Sequence, residues 1–181
     1  MTGLHQIAFS GAILLMVSAC ETIPPAAQAG SGSTVDVRQA MVDGVNPAAL
    51  AIWDVGHNAV DDAGQPDASR LDPQALARLR EAAQMLDTYA ELLAEAPVIK
   101  ASGPDLVGGR LPEGVASREQ IQAAIDANPA GFRAYSRAMG AEAEAILAAI
   151  QSGNRETVAS RLASFDGACQ SCHERYWYVN Q

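Results

Sequence analysis

Near its end the chain reads Cys169-Gln170-Ser171-Cys172-His173, within a stretch where Val158, Leu162, Phe165, Cys169, Cys172 and Tyr176 recur at steps of three and four. That spacing predicts a helix with both cysteines on its buried face. Cys-x-x-Cys alone suits a redox disulfide, half of a zinc site or a haem anchor. A closed zinc site takes four ligands, and outside the motif only Cys20, His5 and His57 remain. A thioredoxin-like site needs strands alternating with helices, and no convincing strand pattern is evident. In c-type haem attachment the two thiols add across the vinyl groups and the adjacent histidine turns a ring nitrogen to the iron. All three residues are then used, so the expectation is one covalent haem c held by Cys169, Cys172 and His173. The bland alternative is a pair of small core cysteines beside a surface histidine.

The N-terminal sequence points to export. Residues 7–17 are apolar and Ser18-Ala19-Cys20 follows, which fits a secretory leader too short to span a membrane permanently. Val17-Ser18-Ala19-Cys20 is similar to a bacterial lipobox, whose cysteine is lipidated after cleavage. The n-region departs from the usual pattern in having no Lys or Arg. The expected organisation is a leader over residues 1–19, lipidated Cys20 with a flexible tether over 20–34, and one domain over 35–181. The alternative is an ordinary leader and a soluble periplasmic protein. With Cys20 on lipid and the other two cysteines on haem, no thiol is left for a disulfide. The Pro-, Ala-, Gly- and Ser-rich tether would place the domain roughly 20 Å from the bilayer.

Charge narrows the partners. The formal net charge is −9, and Lys100 is the only lysine. That balance argues against nucleic acid and against anionic headgroups, and leaves a basic redox protein as a partner.

Helical periodicity runs through the domain. Leu76, Leu79, Ala83, Leu86, Ala90 and Leu93 form a stripe that Pro97 closes. Phe132, Tyr135, Met139, Ile146 and Ile150 mark another helix, and Val42, Leu50, Ile52 and Trp53 belong to a first one. Ser117 with Gln120 has the form of a capping box. Asn46-Pro47 and Asn128-Pro129 each read as a cap followed by proline at the first helical position, predicting that the first and third helices restart there. Four helices with these connections predict an all-α, antiparallel up-down-up-down bundle.

A bundle whose last helix carries Cys169-Gln170-Ser171-Cys172-His173 and Tyr176 resembles the cytochrome c prime superfamily. Within it, Pro47-Ala48-Ala49, Ile52-Trp53 and the Cys-x-Ser-Cys-His-x-x-Tyr-Trp-Tyr ending are similar to a group of exported bacterial monohaem cytochromes. The resemblance covers the whole mature domain and implies haem at the end formed by the start of helix one and the end of helix four. Tyr176 matches the family's aromatic residue after the haem histidine. The family often has a basic residue directly behind that aromatic, whereas Trp177 stands there in this chain and Arg175 precedes it.

Topology then suggests what surrounds the haem. The connection over residues 96–117 is longer than usual for a bundle. It is expected to cover the haem with Pro97, Val98, Ile99 and Leu111 and to offer Lys100 or Arg110 to a propionate; the alternative is a surface insertion. Met41 is level with His173, and Arg38-x-x-Met41 resembles the first-helix pattern of Met-ligated bundle cytochromes, making Met41 the candidate sixth ligand. His57 lies 16 residues further along, roughly 24 Å up a helix, and reads as a surface residue. Met85 and Met139 read as core fillers. Two functions follow: a tethered one-electron carrier with His/Met-ligated iron, or a five-coordinate protein binding nitric oxide or carbon monoxide. A haem-free lipoprotein with a redox Cys-x-x-Cys is a third reading. No nucleophile, base and orienter constellation is evident, so no enzymatic turnover is expected. A homodimer through apolar residues around Trp53 is a further expectation.

Overall fold

The computed structural model describes residues 34–102 and 113–178. The expectations for the leader, Cys20 and the tether before residue 34, and for Arg110 and Leu111, lie outside the described residues. The chain forms β1 (Thr34–Asp36), α1 (Val37–Ala40), a π-helical turn (Met41–Val45) and α2 (Asn46–Asn58), then α3 (Pro73–Glu95) and β2 (Val98–Lys100). The second half contains α4 (Arg118–Ala127), α5 (Pro129–Ser152), α6 (Arg155–Ser164) and α7 (Asp166–Tyr176). These segments make four rods: residues 37–58, α3, α4 with α5, and α6 with α7.

Local chemistry explains where the rods begin. The Asp72 side chain accepts a hydrogen bond from the Ala75 N–H, with Pro73 opening α3. Ser117 and Gln120 form both halves of a capping box on α4. The Asn128 side chain accepts from the Gly131 N–H before Pro129 opens α5. Gly153, at φ 71°, closes that helix in the left-handed conformation, which glycine adopts without steric cost. The expected restart at Asn46-Pro47 does not occur. Asn46 has helical angles and caps nothing, and the first rod runs through Pro47 by widening into the π turn.

Contacts at the rod ends establish the topology. An Arg133 guanidinium N–H near the start of α5 donates to the Ala96 carbonyl just past α3 (2.8 Å). Arg137 on α5 pairs with Glu95 at the end of α3 (3.2 Å). The Tyr176 hydroxyl at the end of α7 reaches the Asn128 carbonyl before α5 (3.4 Å). Met41 of the first rod shares a cleft with His173 of α7. The start of rod one, the end of α3, the start of α5 and the end of α7 therefore meet at one end, as an up-down-up-down bundle requires.

The core follows the periodic stripes. Leu79, Ala83, Leu86, Ala90 and Leu93 are buried along α3, and Phe132, Met139, Ile146 and Ile150 along α5. Phe165, between α6 and α7, is fully buried and meets the Trp53 ring edge-on at 6.1 Å. One expectation needs correction. Met85 is 42% exposed and does not fill the core. Val42 and Leu50 belong to the first rod as expected but point outward, at 65% and 62% exposed.

The absence of strands is also corrected. β1 and β2 pair in parallel, Thr34 with Val98, Val35 with Ile99 and Asp36 with Lys100. Three-residue strands are too short to show an alternation in sequence. The pair ties the start of rod one to the chain leaving α3, and Asp36 reinforces it. Its carboxylate caps α1 by accepting from the Gln39 N–H (2.9 Å) and also accepts from the Ser102 N–H (2.8 Å) and hydroxyl. Burial opposes that charge, but the hydrogen bonds outweigh it and hold the Asp36 pKa below the ordinary carboxylate value.

A carboxylate whose pKa is lowered by folding stabilises the fold above its unfolded pKa and loses that contribution as pH falls through the folded value. Asp36→Ala is therefore expected to cost about 1 kcal/mol at neutral pH. In denaturant titrations the difference from wild type should close as the pH drops below about 4; a gap independent of pH would mean that the charge is not what the cap supplies.

Candidate functional site

The last helix presents the chemistry. Cys169 and Cys172 lie three residues apart on one face of α7, both half-buried and neither in a disulfide. Burial, then the nearby Asp166 carboxylate, pushes the Cys169 thiol up to about 11. Burial, then Cys169, does the same for Cys172, also to about 11. Disulfide-exchange sites work through lowered thiol pKa values, so this pair has the wrong electrostatics for redox exchange. His173 is half-buried, and burial lowers its pKa against the opposing influence of Asp166. A neutral imidazole keeps a lone pair for a metal.

Tyr176 anchors the helix. It is buried, and its ring meets Phe132 at 5.3 Å and Tyr135 at 5.9 Å, both edge-on. Tyr176 thus works as packing from α7 into α5. Trp177 and Tyr178 lie behind it, with ring centres 6.2 and 6.3 Å from that of His173. The Trp177 carbonyl accepts from the Ala116 N–H (2.8 Å), and Val115 bridges to Tyr178. The far end of the long connection therefore runs beside the histidine.

Two adjoining clefts flank α7. The inner one is lined by Trp53, Leu93, Phe132, Tyr135, Met139 and both cysteines. The outer one, about 170 Å³, is lined by Arg38, Ile121, Phe132, Cys172, Tyr176 and Trp177. Met41, Asn46 and His173 border both. The structure thus brings the two candidate iron ligands to one space from different rods. Arg38 is its cation, half-buried and one turn before Met41.

Other expected residues lie elsewhere. Lys100 is exposed on β2 and borders neither cleft. Pro97 and Val98 are exposed, and Ile99 is buried in the strand pair. His57 is exposed and faces a separate groove with Val60 and Pro66. Among the described residues no group of three or more His, Cys, Asp and Glu gathers as a metal cage.

Arg38 was visible in the sequence as the partner of Met41 in a motif, and their i, i+3 spacing places both on one helix face. Asn46 could not be found that way, since five residues of ordinary helix would turn it away from Met41. The donor set fits a covalently linked haem: two protonated thiols one helical turn apart, a neutral imidazole beside them, and apolar and aromatic walls.

A family model described as Cytochrome C' matches residues 73–177, more than half of the chain. The chain belongs to the cytochrome c′ family, and with it carries one covalent haem c. No curated protein and no solved structure matches it. The matched region begins at α3, so it contains the haem-anchor motif and stops short of the rod bearing Met41. No helix among the described residues is long and apolar enough to cross a membrane.

If the two cysteines hold the haem, it stays with the polypeptide through denaturing electrophoresis and neither thiol reacts with an alkylating reagent. Cys172→Ser should leave a single link and lower the yield of haem-stained protein several-fold. Full alkylation of both thiols in purified wild type would contradict the attachment.

Proposed function

We propose that this is an exported, membrane-tethered one-electron carrier in which His173 and Met41 would both ligate the haem iron. The observation that carries the reading is that both side chains border the same two clefts. Cys169 and Cys172 would hold the haem through thioether links, each thiol contributing its sulfur and its hydrogen to one vinyl group with no net redox change. When bound, the haem supplies an iron that cycles between ferric and ferrous states.

The chain's own residues set the terms of that cycle. His173 offers a neutral ring nitrogen, and Met41 a thioether, which favours ferrous iron and raises the potential. Leu93, Phe132 and Met139 keep the inner side apolar. Arg38 is the guanidinium best placed for a propionate; a planar fork matches a carboxylate well. Lys100 borders neither cleft, so Arg38 takes the role expected of it, while Arg110 lies outside the described residues.

Export and tethering rest on the leader-like sequence and Cys20. Partners under this reading are basic redox proteins, recruited by the acidic surface. A second copy would meet the exposed Val42 and Leu50 of rod one, since Trp53 is turned inward onto Phe165.

The oxidised protein is expected to be low-spin with the weak far-red thioether-to-iron band. Met41→Ala should make it high-spin, lower its potential and open the ferrous iron to carbon monoxide. His173→Ala should instead impair maturation. A wild-type spectrum already high-spin and unmoved by Met41→Ala would overturn the carrier reading in favour of gas binding.

A further inference from the structure

The first rod has a defect where Met41 sits. Between α1 and α2, residues Met41–Val45 are π-helical, and the Asn46 N–H donates to the Met41 carbonyl five residues back. Single π turns inside α-helices are rare and cluster at functional sites. Here its cause is readable in the next residue. Pro47 has no N–H for the Asp43 carbonyl, and its ring crowds the carbonyl four residues back. Widening the preceding turn relieves both conflicts without ending the helix.

The turn is also braced from outside. Gly44 is buried against the Tyr89 ring of α3, and a Cβ on Gly44 would stand only 2.1 Å from two of its carbons. Glycine is thus required by close approach, and the aromatic ring of α3 holds the wide turn in place. The geometric consequence is large. In an α-helix residues five apart differ by about 140° around the axis. The wider π turn reduces that angle, and Met41 and Asn46 both border both clefts.

We infer that Pro47, Gly44 and Tyr89 are positioning residues: together they hold the π turn that directs Met41, with Asn46 beside it, toward the iron opposite His173. The inference rests on the Met41 ligation reading and adds how the chain achieves it. None of the three residues touches the haem in this account; each acts through the backbone of residues 41–45.

The test compares haem-loaded variants. Pro47→Ala restores the missing N–H, so the rod should relax toward α-helix. Most of the far-red band should be lost and the potential should fall toward that of Met41→Ala, with covalent haem content unchanged. Gly44→Ala should do the same by pushing against Tyr89. Tyr89→Phe, which keeps the ring, should retain the band, whereas Tyr89→Ala should weaken it.

A crystal structure of Pro47→Ala provides a readout independent of iron: the Asn46 N–H should move from the Met41 carbonyl to that of Val42. If Met41→Ala abolishes the band while Pro47→Ala and Gly44→Ala keep it at full strength and wild-type potential, the positioning role is wrong and ligation stands. If Met41→Ala changes nothing, ligation itself fails and the positioning role falls with it. An Asn46 N–H still bound to Met41 in the Pro47→Ala structure would overturn the part assigned to proline.

Discussion

The buried ring of Tyr176 fixes how α7 is rolled about its own axis, and the orientation of every chemical group on that helix follows. Its two edge-on contacts with Phe132 and Tyr135 come from successive positions on one face of α5. Side chains three and four residues apart share a helix face. With Tyr176 set inward, Cys172 four residues before it and His173 three before it are carried to the clefts. Fully buried Phe165 performs the same service at the other end of the helix, against Trp53. Two aromatic anchors on either side of the motif thus leave little freedom in where the thiols and imidazole point.

The opposing wall depends on rod one, whose entry is set by different forces. Parallel pairing of β1 with β2 and the hydrogen bonds accepted by Asp36 tie its start to the chain leaving α3. The π turn over Met41–Val45 then redistributes side chains around the rod. Burial pushes both thiols up to about 11, which leaves little thiolate for spontaneous disulfide exchange near neutral pH.

Much of this could be read before any coordinates. The three-and-four spacing of Leu79, Ala83, Leu86, Ala90 and Leu93 reports α3 because a buried stripe must recur at the helical period. Ser117 with Gln120, and Asn128 with Pro129, mark helix starts because capping chemistry is local. Asn46 with Pro47 has the same local signature and behaves differently. Its surroundings decide: a long rod packed on α3 tolerates a π turn at Pro47, and no local rule weighs that packing. The β1–β2 pair was hidden because six residues far apart in sequence carry it. Arg38 was within reach through its spacing from Met41, but Asn46 was not, since its place follows from the π turn alone.

The central proposal is that the Met41 sulfur ligates the iron together with His173. The most direct measurement is proton–carbon NMR of the reduced protein labelled with methyl-¹³C methionine, assigned through Met41→Leu. The full sequence has five methionines, two of them in the leader-like segment at positions 1 and 16. Ligation predicts that one methyl resonance, absent from the Met41→Leu spectrum, is displaced far upfield by the haem ring current. Methionine methyls all at ordinary positions in diamagnetic reduced protein, or an upfield signal that survives Met41→Leu, would contradict it.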